Sequence, residues 1–335
     1  MTRAGVFGTG SWGTAFALVL ADAGTEVTMW GRRPELCETI NRTRRNSDYL
    51  PDVELPDGVC ATHDPAEAAG GADLVVLAVP SQALRENLTA WLPVLPADAV
   101  LVSLMKGIEL GTAQRMSEVI AEVARVSDDR VAVLSGPNLA GEIAQRQPAA
   151  SVVACVDESA AQRIQRACHS PYFRPYTNTD VVGTELGGTV KNVIALAVGM
   201  AEGLGFGDNT RASVITRGLA ETARLGAALG ADPYTFSGLA GLGDLVATCS
   251  SPLSRNRTFG EMLGRGRSVA QITGATRQVA EGVKSCESVL DLARRVGVDM
   301  PIVEHVTHVV EGTMTPMEML RRLISRTAKP ERHGH

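Results

Sequence analysis

The chain has 335 residues, of which 44% are hydrophobic and 21% charged, and its formal net charge is -5. A single core stops growing near ~250 to 300 residues, so one small domain is excluded and two sizeable cores are expected. No basic excess exists to neutralise phosphates, which argues against a nucleic-acid partner and leaves room for a small anionic ligand held by local cations.

The start, Met1-Thr-Arg followed by an apolar stretch ending near Ala21 to Ala23, superficially resembles a secretory leader. Its apolar segment would have to be 15–21, and the glycines and Trp12 before it suit a strand, a turn and a helix better. Short runs rich in Val, Leu and Ala then recur at 4–7, 26–30, 74–79, 99–104, 131–134 and 151–156. Continuous apolar runs, unlike alternating ones, belong to strands covered on both faces. Residues 1–180 are therefore expected to form a Rossmann-type, doubly wound α/β domain with a mostly parallel sheet.

Gly8, Gly10 and Gly13 lie directly after the first apolar run and at the mouth of an apolar helix. In such a turn the first glycine permits the bend, the second lets the backbone approach a pyrophosphate and the third allows close helix–strand packing. The helix N-terminus offers amide donors to the anion. The competing reading is a tight turn with no ligand. A carboxylate after the second strand would bind the ribose hydroxyl of NAD; Arg32 and Arg33 stand there instead, which favours the 2′-phosphate of NADPH, with NADH still possible. Two solvated surface arginines are the alternative.

Lys106 follows the run at 99–104, at the edge of the sheet where ligands bind in open α/β folds, although a Lys there can also cap a strand. Beyond about Thr179 the pattern turns helical, at 187–203, 211–230, 284–297 and 301–312, with Pro, Gly and Asp as punctuation. Residues 181–325 are expected to be an all-α substrate-binding domain, and the polar tail 326–335 a disordered end. The apolar run at 193–201 is about half of what spans a bilayer, so no membrane span is expected.

Lys191 interrupts an otherwise apolar helix, and a buried ammonium is costly unless paired or shifted in pKa. It is a candidate acid/base; a Lys snorkelling from the helix start is the alternative. The segment 238–257, GLAGLGDLVATCSSPLSRNR, combines a glycine-rich approach, Asp244, Thr248 and the cluster Ser254, Arg255, Asn256 and Arg257. Arg and Asn supply planar donors that fit a phosphate, and Asp244 could hold an ammonium. Read plainly, the same stretch is a glycine-rich loop before an N-capped helix. The six cysteines show no metal or disulfide spacing and read as reduced thiols, Cys249 as a small buried hydrophobe. His305 and His308 lack an evident third ligand, so no metal is expected.

Taken together, GTGSWGTAFA, NSDYLPDVELP, KGIE, SGPNLAGEIA, GGTVKNVIALAVG, GDNTRASVITRGLAE and the segment 238–257 resemble bacterial NAD(P)-dependent glycerol-3-phosphate dehydrogenases, in order from about 4 to 323. The resemblance implies reversible reduction of dihydroxyacetone phosphate to sn-glycerol 3-phosphate, the glycerol backbone donor for phospholipid synthesis, in a cytoplasmic enzyme that is often a homodimer. It places cofactor contacts at Ser11, Trp12, Arg32, Arg33, Tyr49, Lys106, Ala140, Arg255, Val279 and Glu281. Substrate contacts fall on Lys106, Gly136, Asn138, Lys191, Asp244, Ser254, Arg255 and Asn256, with Lys191 the proton acceptor in oxidation. In the mechanism so implied, Arg255 and Asn256 grip the phosphate, Asp244 and Thr248 support Lys191, and Lys106 stabilises developing charge. The chain departs from the commoner pattern at Asn138 and Leu139, where Ser and Phe are usual. A β-hydroxyacid dehydrogenase or ketopantoate reductase shares the glycine turn and helical second half but needs no phosphate cluster. A silent NADPH-binding sensor could dispense with Lys191 and Asp244.

Overall fold

The computed structural model describes residues 1–275 and 280–327. One eight-stranded sheet has the order β3-β2-β1-β4-β5-β6-β7-β8. Its strands are β1 (Arg3–Phe7), β2 (Glu26–Trp30), β3 (Val59–Thr62), β4 (Leu74–Leu77), β5 (Val100–Ser103), β6 (Val131–Ser135), β7 (Ala149–Ala154) and β8 (Phe173–Asn178). All neighbours are parallel except β6 and β7, which run antiparallel with Leu134 opposite Val153. A mostly parallel, Rossmann-like sheet is what continuous apolar runs predict.

Two edge strands escape that criterion for a physical reason. β8 reads FRPYTN, alternates buried and exposed residues and carries a proline, as an edge strand can. β3 is four residues long with Cys60 exposed. In the central strands, by contrast, successive side chains enter cores on opposite faces. Val6, Val76, Val102 and Leu134 join one, while Phe7, Leu77 and Leu101 join the other. Each such side chain removed from water contributes roughly 1.5–3 kcal/mol.

The sheet ends at Asn178 and a long central helix starts at Val181. Asp180 caps it, its carboxylate accepting from the Gly183 N–H at 2.8 Å. The helix Val181–Gly203 is long and apolar enough to cross a bilayer, yet 183–201 are all buried within the protein. It is wrapped by the helices Asp208–Ala228, Arg255–Gly264 and Glu281–Arg295, and its aliphatic residues form the second core. A Cβ on Gly199 would stand 2.0 Å from the Arg257 carbonyl oxygen, and one on Gly260 would stand 2.1 Å from that of Leu196. Backbone therefore meets backbone here, which brings the start of Arg255–Gly264 to the central helix beside Lys191.

Of the tail expected to be disordered, Arg326 and Thr327 are described, and Arg326 pairs with Asp299 at 2.8 Å. Residues 328–335 lie outside the described residues.

Candidate active site

The glycine turn leaves β1 and opens the helix Ser11–Asp22. Gly8 has φ +134°, and a Cβ there would meet the Ala78 carbonyl oxygen at 2.4 Å. Gly13 would put a Cβ 2.2 Å from the Gly8 carbonyl oxygen. At Gly10 nothing lies within 4 Å, so the backbone is open to an incoming group. The helix has no side-chain cap, and its first amides are left for an anion. This is a cradle that fits a dinucleotide pyrophosphate. Asn46, fully buried, braces it: Nδ2 donates to the Thr9 carbonyl and the Thr14 hydroxyl, both at 2.8 Å. Sequence reasoning missed Asn46, whose only signal was its place at the head of the NSDYLP stretch.

Around this turn, the Ser11 hydroxyl donates to the Tyr49 carbonyl at 3.5 Å, and the buried Trp12 Nε1 has no partner among the described residues. Arg32 is exposed and makes no salt bridge among the described residues. Arg33 is bound to Asp48 at 2.6 Å, which raises the guanidinium pKa further. Ala140 and Glu281 each begin a helix, at Ala140–Ala144 and Glu281–Arg295. Val279 lies outside the described residues.

Beyond the carboxyl ends of the same parallel strands, past β5, three charges meet. Lys106, three residues past β5, donates to Asp244 Oδ2 at 2.6 Å and to the Gly136 carbonyl at 3.0 Å. Lys191 donates to the other carboxylate oxygen of Asp244 and, at 2.6 Å, to the Thr248 hydroxyl. Asp244 is 1% exposed and Lys191 7%, so one buried carboxylate is shared by two ammonium groups. Burial pulls the Lys191 pKa down to about 8; Asp244 opposes the fall and the Lys106 charge adds to it. Asp244 and Thr248 reach Lys191 together because they lie one turn apart on the helix Asp244–Ser250, which continues directly from a π-helical turn at Leu239–Gly243. A Lys that snorkels to water from the helix start is thereby ruled out as the reading of Lys191.

The expected phosphate cluster divides. Ser254 is buried, and its hydroxyl accepts from the Arg257 N–H at 3.3 Å as the helix cap. Arg255 is exposed on the first turn. The Asn256 amide donates to Asn192 Oδ1 at 2.9 Å and accepts from the Gly282 N–H at 2.9 Å, which ties the residue after Lys191 to the residue after Glu281. Arg257, grouped with the phosphate donors in the sequence, is instead buried and spent on Glu202, Glu261 and the Ser251 carbonyl. Asn138 donates to the Ser151 hydroxyl at 3.1 Å, while its own carbonyl oxygen is buried without a partner among the described residues. Cys249 is buried and its thiol pKa is pushed up to about 12 by burial, an inert small hydrophobe rather than a nucleophile. His305 Nδ1 faces the Pro301 carbonyl at 2.7 Å within its own helix. A cavity of about 930 Å³ lies against the helix Asp208–Ala228 and is lined by none of the candidate site residues.

Two family models, the N-terminus and the C-terminus of NAD-dependent glycerol-3-phosphate dehydrogenase, match residues 3–161 and 180–321. The chain belongs to this dehydrogenase family. It is 69% identical over 330 residues to a glycerol-3-phosphate dehydrogenase [NAD(P)+] of Streptomyces griseus, covering 98% of both chains. The crystal structure of glycerol-3-phosphate dehydrogenase from Coxiella burnetii superposes with a TM-score of 0.92 at 36% identity, over 97% of this chain and 99% of that one. A ketopantoate reductase from Ralstonia eutropha reaches a TM-score of 0.60 at 18% identity over 96% of this chain and 100% of its own, a likeness of fold alone. The dehydrogenase is thus an oxidoreductase that binds NAD(P) and interconverts dihydroxyacetone phosphate and sn-glycerol 3-phosphate. A carboxylate-bearing substrate and a catalytically silent sensor are both set aside by that membership.

Proposed function

We propose that Lys191 is the acid/base of this dehydrogenase, and the observation that carries the reading is its place on Asp244, buried, beside a second ammonium. A group poised near neutral pH can give a proton in one direction and take it in the other. A bound nicotinamide supplies or receives the hydride. Lys191 protonates the oxygen of the reduced carbonyl carbon, or takes the hydroxyl proton in oxidation. Asp244 and Thr248 orient its Nζ. Lys106, on the same carboxylate, stabilises the negative charge that builds on that oxygen.

Substrate phosphate falls to Arg255 and Asn256 in this reading, with Ser254 acting through the helix it caps, and Gly136 and Asn138 closing the first-domain side. Asn138 suits contact with a substrate hydroxyl, because its carbonyl oxygen, an acceptor, is buried and without a partner among the described residues. The cofactor lies on Gly8, Gly10, Ser11, Trp12 and Gly13, extending toward Tyr49, Lys106, Ala140, Arg255, Val279 and Glu281. NADPH is favoured over NADH through Arg32, whereas Arg33 must exchange Asp48 for the 2′-phosphate. Residues 1–180 form the dinucleotide unit and 181–325 the substrate unit. The enzyme works in the cytoplasm as a homodimer and supplies glycerophospholipid synthesis, the compartment, assembly and role that the family resemblance implies; sedimentation velocity tests the assembly.

Loss of a positioned proton donor costs about 10²- to 10⁴-fold in rate. Lys191→Ala should therefore lose kcat on that scale while NADPH Kd, measured by fluorescence titration, is unchanged. Near-normal turnover by the variant rules out Lys191 as acid/base.

A further inference from the structure

The segment that leaves Lys106 crosses from the sheet into the helical half. It folds back on itself: Ile108 and Arg115 form an antiparallel bridge, and the Glu109 N–H donates to the Gln114 carbonyl at 2.9 Å. Ile108 and Ala113 are buried in the core of the helical half. Arg295 holds the far end, donating to the Thr112 carbonyl at 2.6 Å and the Gly111 carbonyl at 3.0 Å.

The base of this loop is held by Glu185. Arg115 Nη1 donates to Glu185 Oε2 at 2.7 Å, the Ser117 N–H donates to Oε1 at 2.9 Å, and the Ser117 hydroxyl donates as well. Glu185 is 6% exposed and sits on the central helix less than two turns before Lys191. Burial pushes its pKa up, against Arg115 and Ser117. Apolar residues of similar volume often replace a buried ion pair with no loss of stability, so stability alone does not account for one here. What this pair does have is position: it joins the helix that carries Lys191 to the loop that carries Lys106.

We propose that Glu185 is a positioning residue of the reaction: through Arg115 and the Ile108–Arg115 bridge it sets where Lys106 stands on Asp244, and so couples Lys106 to Lys191. The inference rests on the acid/base reading of Lys191 above. The loop itself carries Glu109, held by Arg85 at 2.9 Å, and Arg85 also pairs with Glu122 at 2.7 Å. Arg115 faces Glu185 and carries Glu118 at 2.8 Å on its other side; Asp244 and Lys106 face Lys191, with the Cys249 thiol close by. Because the Lys106 charge depresses Lys191, letting Lys106 drift moves the Lys191 pKa up.

The test is the pH dependence of kcat/KM for glycerol 3-phosphate oxidation in Glu185→Gln, Glu185→Ala, Lys106→Ala and the double variant Lys106→Ala/Glu185→Ala. Misplacement of a catalytic group by about 1 Å costs up to ~10²-fold. Glu185→Ala should lose kcat/KM on that scale, and its pH limb should move up toward that of Lys106→Ala. Glu185→Gln, which keeps the shape and an acceptor for Ser117, should fall between wild type and Glu185→Ala, and it carries the test should Glu185→Ala not fold. On the Lys106→Ala background, replacing Glu185 should cost nothing more. A loss as large there as in the wild type, or a wild-type rate and limb in both Glu185 variants, overturns the proposal. Lys191→Ala separates the two readings: if it keeps the limb, the acid/base assignment falls, while the Glu185–Lys106 coupling in kcat/KM is still decided by the cycle.

Discussion

The cofactor turn is made of backbone within one short segment, whereas the charged cluster is made of side chains 53 and 138 positions apart that meet on Asp244. Mostly local geometry makes the first: a strand end, an uncapped helix and Gly13, where a Cβ would meet Gly8 five residues before it, with Ala78 closing on Gly8 from the end of the neighbouring strand. The second exists only once the sheet, the central helix and the helix Asp244–Ser250 are packed together. The turn should therefore fail locally, through cofactor affinity, and the cluster should fail globally, through rate and protonation together.

The largest break in that contrast is expected from Asp244→Asn. Without the carboxylate, the ammonium groups of Lys191 and the partly buried Lys106 repel, and Lys191 loses the interaction that opposes its desolvation. Its pKa falls further, so a smaller share of Lys191 carries the proton that reduction needs. Stopped-flow reduction of dihydroxyacetone phosphate should slow by roughly 10³-fold, with cofactor affinity kept. A variant that loses cofactor affinity instead would erase the distinction between the two regions.

A smaller effect belongs to Gly13→Ala, where the new Cβ meets the Gly8 carbonyl oxygen at 2.2 Å. Overpacking of this kind costs about 1–3 kcal/mol, which is about five- to 150-fold in NADPH Kd by fluorescence titration. The Lys191 pH limb should stay in place, because no member of the cluster has moved. Smaller again is Arg32→Ala. A hydrogen bond to a charged group is worth about 1.5–3 kcal/mol, so the ratio of NADPH to NADH in kcat/KM should fall by at least about tenfold. An unchanged ratio sends the discrimination to Arg33 released from Asp48.

The same contrast explains what could be read before folding. The glycine turn was legible because its chemistry is local, and the six covered strands because an apolar run needs no partner to be recognised. β3 and β8 were missed as edge strands, one short and the other alternating around Pro175. Lys191 stood out as a charge in an apolar helix, but nothing in the sequence says that Asp244 would serve both it and Lys106. Nor could composition separate Arg255 from Arg257, two residues apart, one exposed and the other buried on Glu202. The Arg33–Asp48 pair and the brace at Asn46 likewise depend on a loop returning to the turn.

The central claim is that burial and the neighbouring Lys106 poise Lys191 near neutral pH, and the pH profile of kcat/KM in both directions tests it most directly. Oxidation of glycerol 3-phosphate needs the neutral amine, so its kcat/KM should rise as pH climbs through about 8; reduction needs the ammonium and should fall through the same midpoint. In Lys106→Ala the depressing charge is gone, and both limbs should move to higher pH. Limbs that stay put in Lys106→Ala, or that persist in Lys191→Ala, would contradict the account.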